Sequence, residues 1–339
     1  MTSAPSTDPL ALYRMRDGLY AIDLLITAVV HLDVFQQLDR SPLSLEGLCS
    51  RLGTQKRPSD VMMTLLKSLE LIEERSGLFH LTQLAREHLL PDSQWYVAPY
   101  YAGMKDRPVA RDFLEVLRTG KPANWTSLRD EKAWAAAMEH ETFAKDFTAA
   151  MDSRGVYLGQ ALARATSLTG RTCLLDVAGG SGIYSCCLAA ANPELSAVIL
   201  EKAPVDAIAK ASVEKRGFGE RITVHAGDMF RDAWPVGADV HLLSNVLHDW
   251  DEPELRTLLK RSFESLTPGG VLLIHDMHLN DAKTGPLPVA QYSSLLMCIT
   301  EGKCYARSEL EPMLLEAGFH SVEIRPCAAD RSVMTAKKR

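Results

Sequence analysis

No run in this sequence is apolar for long enough to cross a bilayer. The most apolar early stretch, Leu24 to Leu32, is broken by His31 and Asp33, well short of the ~20 residues that a spanning helix needs. Basic charge is nowhere concentrated: 37 Lys and Arg stand against 43 Asp and Glu, spread along the chain, for a formal net charge of −6. Gripping a nucleic-acid backbone takes a local surplus of cations, so neither nucleic acid nor membrane is expected as a partner. The polar start, Met1-Thr-Ser-Ala-Pro-Ser-Thr-Asp8, lacks the basic and apolar regions of a secretory leader and is expected to be a loose tail. The seven cysteines form no C-x-x-C pair, which argues against zinc. Their odd number, with Cys186 and Cys187 adjacent in an apolar stretch, points to reduced, buried thiols and a cytoplasmic location.

What remains is an ordinary globular composition, 46% apolar and 24% charged over 339 residues, enough for about two domains. Residues 1–95 carry apolar positions three and four apart from Leu12 to Leu38, then a short helix Leu45–Leu52 closed by Gly53. Ser59 can cap a helix over Val61–Leu71, and Ile72–Leu81 suits a hairpin turning at Ser76-Gly77. Helix, turn, helix, hairpin is the winged-helix order. A DNA-reading helix needs several polar or basic side chains on one exposed face, and here only Lys67 falls outside the apolar positions. Residues 96–165 are expected to be a helical connector, part of an aromatic-rich stretch that runs from Trp95 to Phe147 and includes Trp125 and Trp134. Those rings either pack a core or line a substrate pocket.

From about 166 to 339 the texture alternates between short apolar runs and helical stretches. Cys173–Ala178, Ala197–Glu201, Ile222–His225, Asp239–Asn245 and Gly270–Asp276 are strand candidates, with helices over Pro204–Arg216 and Glu252–Leu266 between them. This is the pattern of a doubly wound α/β sheet. Ser321–Arg325 and Ser332–Ala336 are close enough to form an antiparallel hairpin at its edge.

The first of these strands runs into Asp176-Val-Ala-Gly-Gly-Ser-Gly182 and then the helix Ile183–Ala191. Glycines at a strand's carboxyl end let the backbone approach a ligand, and the helix start offers free amides. A dinucleotide loop asks for G-x-G-x-x-G, and Gly180-x-Gly182-x-x-Ser185 places serine where glycine or alanine should pack. Glu201 ends the next strand, about twenty residues on, where a carboxylate can accept from both hydroxyls of a ribose. Gly227-Asp228-Met229-Phe230 ends the third, where an acid and apolar side chains can frame an adenine. No lysine is placed for phosphates, so the set suits an adenosine.

On these residues the chain resembles the class I methyltransferases, within them the caffeate-type and acetylserotonin-type O-methyltransferases, over nearly its whole length. The class motif D/E-x-G-x-G-x-G is matched by Asp176, Gly180 and Gly182, with Ala178 as a mild replacement of the first glycine. The resemblance implies a Rossmann-like seven-stranded sheet, an N-terminal all-helical, winged-helix domain that makes a homodimer, and S-adenosylmethionine as cofactor. It implies that Asp176, Gly179, Gly180 and Gly182 hold the cofactor, with Glu201 on the ribose and Gly227, Asp228 and Met229 at the adenine. Ser244 stands where members often have a cofactor-contacting lysine. Ser244-Asn-Val-Leu-His-Asp-Trp-Asp251 resembles the family's L-H-D-W segment, which makes His248 the general base, and Asp276, ending the next strand, the acid that orients it.

The chemistry suits a histidine. A phenol ionises near pH 10, and an imidazole, with a pKa of about 6.5, is free base at neutral pH and can take its proton. Phe147 and Met151 match an F-N-x-x-M element of the family that packs around the acceptor and the cofactor sulfur; at i, i+4 they could equally be core. Asn245, beside the base segment, is a further acceptor-side candidate. Members usually carry a second acid in a G-G-[KR]-E-R-[ST] segment, but Glu301-Gly-Lys-Cys-Tyr-Ala306 has Cys304 in that place. His275 and His278 flank Asp276, yet alternation along a strand turns His275 to the other face, so no metal is expected. The implied reaction is methyl transfer to a hydroxyl of a small aromatic metabolite. The alternatives are C- or N-methylation with His248 orienting the acceptor, or a cofactor-binding regulator that uses the winged unit on DNA.

Overall fold

The computed structural model describes residues 5–123 and 141–339; Trp125 and Trp134 lie outside them. The chain forms two compact units that are not consecutive in sequence. One comprises residues 1–10, 132–277 and 307–339, the other residues 11–131 and 278–306.

The second unit is mainly helical. Leu10–Asp17 and Ala21–Ile26 run through a π turn, Thr27–His31, toward Val34–Arg40. Helix Leu45–Leu52 starts on Ser44, whose hydroxyl accepts from Gly47 N, and stops at left-handed Gly53. Strands β1 (Ile72–Arg75) and β2 (Leu78–Leu81) pair antiparallel, with positive φ at Ser76 and Gly77 as a tight hairpin requires. The helix before them corrects the expected start: it spans Lys56–Ser68, and Ser59 lies inside it. Rather than capping, Ser59 Oγ bonds Thr54 Oγ1 at 2.7 Å. This helix is buried from Arg57 to Lys67. Lys67, the one exposed cation expected on it, instead donates to Glu74 at 2.8 Å and to the carbonyl of Ala282 at 3.0 Å. Helix Leu287–Ile299, from the returning segment, packs against it, so it has no free face for a groove. Among the described residues no single helix is long and apolar enough to cross a membrane.

The first unit carries a seven-stranded sheet: β3 (Cys173–Val177), β4 (Ser196–Glu201), β5 (Ile222–Ala226), β6 (Val240–Ser244), β7 (Val271–Asp276), β8 (His320–Pro326) and β9 (Ser332–Lys337). The order is β5-β4-β3-β6-β7-β9-β8, with β9 antiparallel to both neighbours and the rest parallel. Near-continuous apolar strands suit a parallel sheet covered on both faces. The chain steps outward from β3 through β4 to β5, then returns to the other side of β3 as β6. That reversal opens a crevice at the carboxyl ends of β3 and β6, where the glycine loop and the His248 segment begin.

Helix Glu141–Ala165 packs on helix Ile183–Ala191, which follows the glycine loop. Gly155 and Gly159 allow the approach: a Cβ at Gly155 would strike the side chain of Ile183, and one at Gly159 would come within 2.9 Å of Cys187 Sγ. Gly155→Ala should therefore destabilise the protein by about 1–3 kcal/mol in chemical denaturation, although alanine gains about 1 kcal/mol in helix propensity. Adding Ile183→Ala should recover part of the loss; equal or greater stability of the single variant would refute the steric account.

Candidate active site

The glycine loop is wound in an unusual backbone conformation, with positive φ at Ala178 (53°), Gly180 (56°) and Gly182 (76°). For alanine this costs about 1–2 kcal/mol, so the replacement at Ala178 is dearer than its single methyl suggests. A Cβ at Gly179 would lie 2.7 Å from Asp176 Cγ, and one at Gly182 2.5 Å from Ile199 Cδ1, so both glycines sit flush on the sheet. A Cβ at Gly180 would meet nothing within 4 Å, leaving that side of the loop open.

Asp176 lies buried beneath the loop and accepts from Ser185 Oγ at 2.6 Å. The serine that spoils the dinucleotide pattern is thus the partner of this acid. Burial pushes the Asp176 carboxyl up to about 6, against the pull of the Ser185 hydrogen bonds.

Glu201, at the end of β4, accepts from Gly180 N through Oε2 at 3.0 Å and from Lys202 N through Oε1 at 2.9 Å. Burial raises its carboxyl to about 7, the two amides pull it down, and Asp176 adds repulsion. After β5, Gly227 N donates to Glu201 O at 3.0 Å, and Asp228 Oδ1 accepts from Phe230 N at 2.8 Å. Met229 is half-buried, with its carbonyl held by Trp234 Nε1 at 2.8 Å. Each Glu201 oxygen keeps a lone pair beyond its amide partner. Together with the open side of Gly180, this acceptor set fits the ribose and backbone-facing end of S-adenosylmethionine.

The neighbouring strand ends carry the His248 segment. A short 3-10 turn, Leu247–Asp249, follows β6, and Asp251 caps helix Glu252–Ser265. His248 is buried, its Nδ1 2.6 Å from Asp276 Oδ1 at the end of β7. Its Nε2 lies 3.5 Å from Asp249 Oδ1. Burial disfavours the charged ring, but the Asp276 and Asp249 carboxylates outweigh it and raise the His248 pKa; Arg154 acts in the opposite direction.

Asn245 adopts positive φ, 55°, donates to Tyr184 Oη at 3.1 Å and Ser244 Oγ at 3.0 Å, and leaves a buried Oδ1 without a partner. Ser244 Oγ also bonds His275 Nδ1 at 2.9 Å, so its hydroxyl is engaged inside the sheet end. Phe147 and Met151 are half-buried on helix Glu141–Ala165, and Phe147 stacks with Phe143 at 6.4 Å. Trp250 meets Phe230 edge to face at 4.6 Å, joining the His248 segment to the loop after β5.

Arg154, the Phe230–Trp250 pair and the Ser185 partner of Asp176 escaped the sequence reading. A long-range ion or ring contact leaves no spacing signal. In the helical unit, Cys304 is buried with its amide donating to Ser293 Oγ at 3.0 Å, and Glu301 pairs with Lys121 at 3.3 Å. Among the described residues no group of three or more His, Cys, Asp or Glu is placed to hold a metal.

The raised carboxyls have a thermodynamic sign. A group whose folded pKa exceeds its unfolded value binds extra protons in the folded state, so stability falls as pH rises from the unfolded pKa to the folded one. For Glu201 that window is 4.5 to about 7. Thermal melts of the ligand-free protein should therefore show Glu201→Gln gaining on wild type between pH 5 and pH 7.5, by about 1–3 kcal/mol once its partial exposure is discounted. A constant difference across that range would contradict a raised Glu201 carboxyl here.

A family model of the O-methyltransferase domain matches residues 111–320. A 3-hydroxy-5-methyl-1-naphthoate 3-O-methyltransferase from Streptomyces sahachiroi is 30% identical over 317 residues, covering 93% of this chain and 90% of its own. The acetylserotonin O-methyltransferase of Gallus gallus is 28% identical over 332 residues, covering 94% of each. An O-methyltransferase family 2 protein from Planctomyces limnophilus, solved in complex with apigenin, superposes with a TM-score of 0.89 at 33% identity, over 100% of this chain and 98% of that one. With its sheet order, glycine loop and His248–Asp276 pair in place, the chain belongs to the O-methyltransferase family and is an S-adenosylmethionine-dependent enzyme.

Proposed function

We propose that the protein methylates a phenolic hydroxyl of a small aromatic metabolite, with His248 as general base. The 2.6 Å contact between His248 Nδ1 and Asp276 carries this reading. A carboxylate on Nδ1 holds the proton there and makes Nε2 the nitrogen that receives one. When bound, S-adenosylmethionine supplies an electrophilic methyl group on its sulfonium. His248 Nε2 takes the proton of the acceptor hydroxyl as the oxygen attacks, and Asp276 and Asp249 stabilise the resulting imidazolium. Asp249, 3.5 Å from Nε2, provides a second negative charge although Cys304 stands at the family's second acid position. Gly179, Gly180 and Gly182 hold the amino-acid end of the donor, with Asp176 supporting the loop from below. Glu201 accepts from the ribose, and Gly227, Asp228 and Met229 frame the adenine. Ser244 acts through His275 and Asn245. Phe147, Met151 and the open Oδ1 of Asn245 serve the acceptor. The naphthoate, acetylserotonin and apigenin named for the relatives support a phenol-like acceptor.

His248→Ala should keep S-adenosylmethionine binding by calorimetry while kcat falls about 10²- to 10⁴-fold; retained turnover would reassign His248 to orientation. Only neutral imidazole accepts a proton, so with its raised pKa kcat/KM climbs with pH through a value above 6.5. Asp276→Asn removes the main opposing charge, so the climb should move to lower pH while kcat drops. An unmoved acid limb would separate Asp276 from the base.

Residues 1–95 are proposed as the dimerisation domain, 96–165 as the connector that helps shape the acceptor pocket, and 166–339 as the catalytic domain. Leu12 and Met15 on the first helix, Leu19 after it and Ile22 on the second are 76%, 80%, 57% and 39% exposed, apolar side chains suited to a second copy. Light scattering should find a dimer that becomes monomeric in the Leu12→Glu/Met15→Glu variant; a wild-type monomer would refute the assignment. Seven free cysteines support a cytoplasmic setting.

A further inference from the structure

Ser181 is the one residue between Ala178 and Gly182 with a polar side chain. It sits between two glycines of positive φ and is buried. Its Oγ donates to Asp152 Oδ1, on helix Glu141–Ala165. The same carboxylate is gripped by Arg216 Nη2, at 2.8 Å to Oδ1 and 2.6 Å to Oδ2. Arg216 follows helix Val205–Lys215, where its Nη1 also reaches the carbonyl of Ser212 at 3.4 Å. One carboxylate therefore ties the glycine loop to two helices that flank the sheet.

A loop of glycines has the most conformational freedom to lose on ordering. A hydroxyl bonded to a charged acceptor resists that loss better than a neutral contact would. Arg216 holds Asp152 in one orientation and compensates its charge, which would otherwise add to those of Asp176 and Glu201 around the same loop.

We propose that Asp152, held by Arg216, is a positioning residue for the methyl donor: through Ser181 it keeps the glycine loop in the conformation that receives the donor's amino-acid end. The assignment rests on the loop being the S-adenosylmethionine site. Its effect falls on donor affinity and on loop order in the empty protein, not on methyl transfer itself.

The test combines calorimetry with S-adenosylhomocysteine, which cannot react, and amide hydrogen exchange of the ligand-free protein. Ser181→Ala and Asp152→Ala should each weaken binding by roughly 10- to 50-fold. The double variant should be little weaker than the single ones, because both remove the same contact. KM for the donor should rise with kcat at saturation little changed. Exchange at residues 180–182 should quicken in both variants, and Ser181→Thr, which keeps a hydroxyl, should stay near wild type. Ser181→Ala with unchanged affinity and unchanged exchange would overturn the proposal, as would losses that simply add in the double variant. If the wild type binds no S-adenosylhomocysteine, the donor-site reading fails, and the exchange comparison still decides whether the latch orders the loop.

Discussion

The hydrogen bonds that hold Leu174, Leu175 and Asp176 of β3 against Val240, His241 and Leu242 of β6 govern nearly everything else about this enzyme. These strands are far apart in sequence, and each ends in a loop that would be unremarkable alone. Side by side at the point where strand order reverses, the ends of both strands face one crevice. β7, on the far side of β6, then delivers Asp276 to His248. A one-residue slip of this parallel register would turn every strand-end side chain to the other face.

Assembling the site costs stability in several places. Ala178 occupies a conformation that favours glycine, two carboxyls at strand ends sit with raised pKa values, and Asn245 holds a buried oxygen without a partner. Such violations are tolerated where a ligand or a proton transfer needs them, and the packed core of the sheet offsets them.

The elements that form the candidate site were legible because their signals are local. Apolar runs alternating with helices, the glycine loop, an acid at each of two following strand ends and the His-Asp-Trp segment all lie within short windows. The hairpin turn at Ser76-Gly77 was legible for the same reason. The errors came where tertiary structure overrode a local signal. Ser59 has a capping side chain, but the helix begins at Lys56 and Ser59 bonds Thr54 instead. Lys67 looked exposed because cations usually are, whereas its ammonium has Glu74 and a carbonyl waiting. Gly155 and Gly159 carry no signal of their own along a helical stretch, because the reason for them lies on another helix. The return of residues 278–306 to the helical unit left no compositional mark, since a buried helix reads the same in either unit.

The contact between Phe230 and Trp250 has a kinetic side. Phe230 follows the loop proposed to frame the adenine, and Trp250 lies two residues beyond the proposed base. Restraining one ring restrains the other, and coupling of this kind is reciprocal. With the nucleoside and acceptor placed as proposed, occupancy at one end would lower the entropy still to be lost at the other. The two ligands would then bind cooperatively without touching through those rings, a thermodynamic basis for a preferred order of addition.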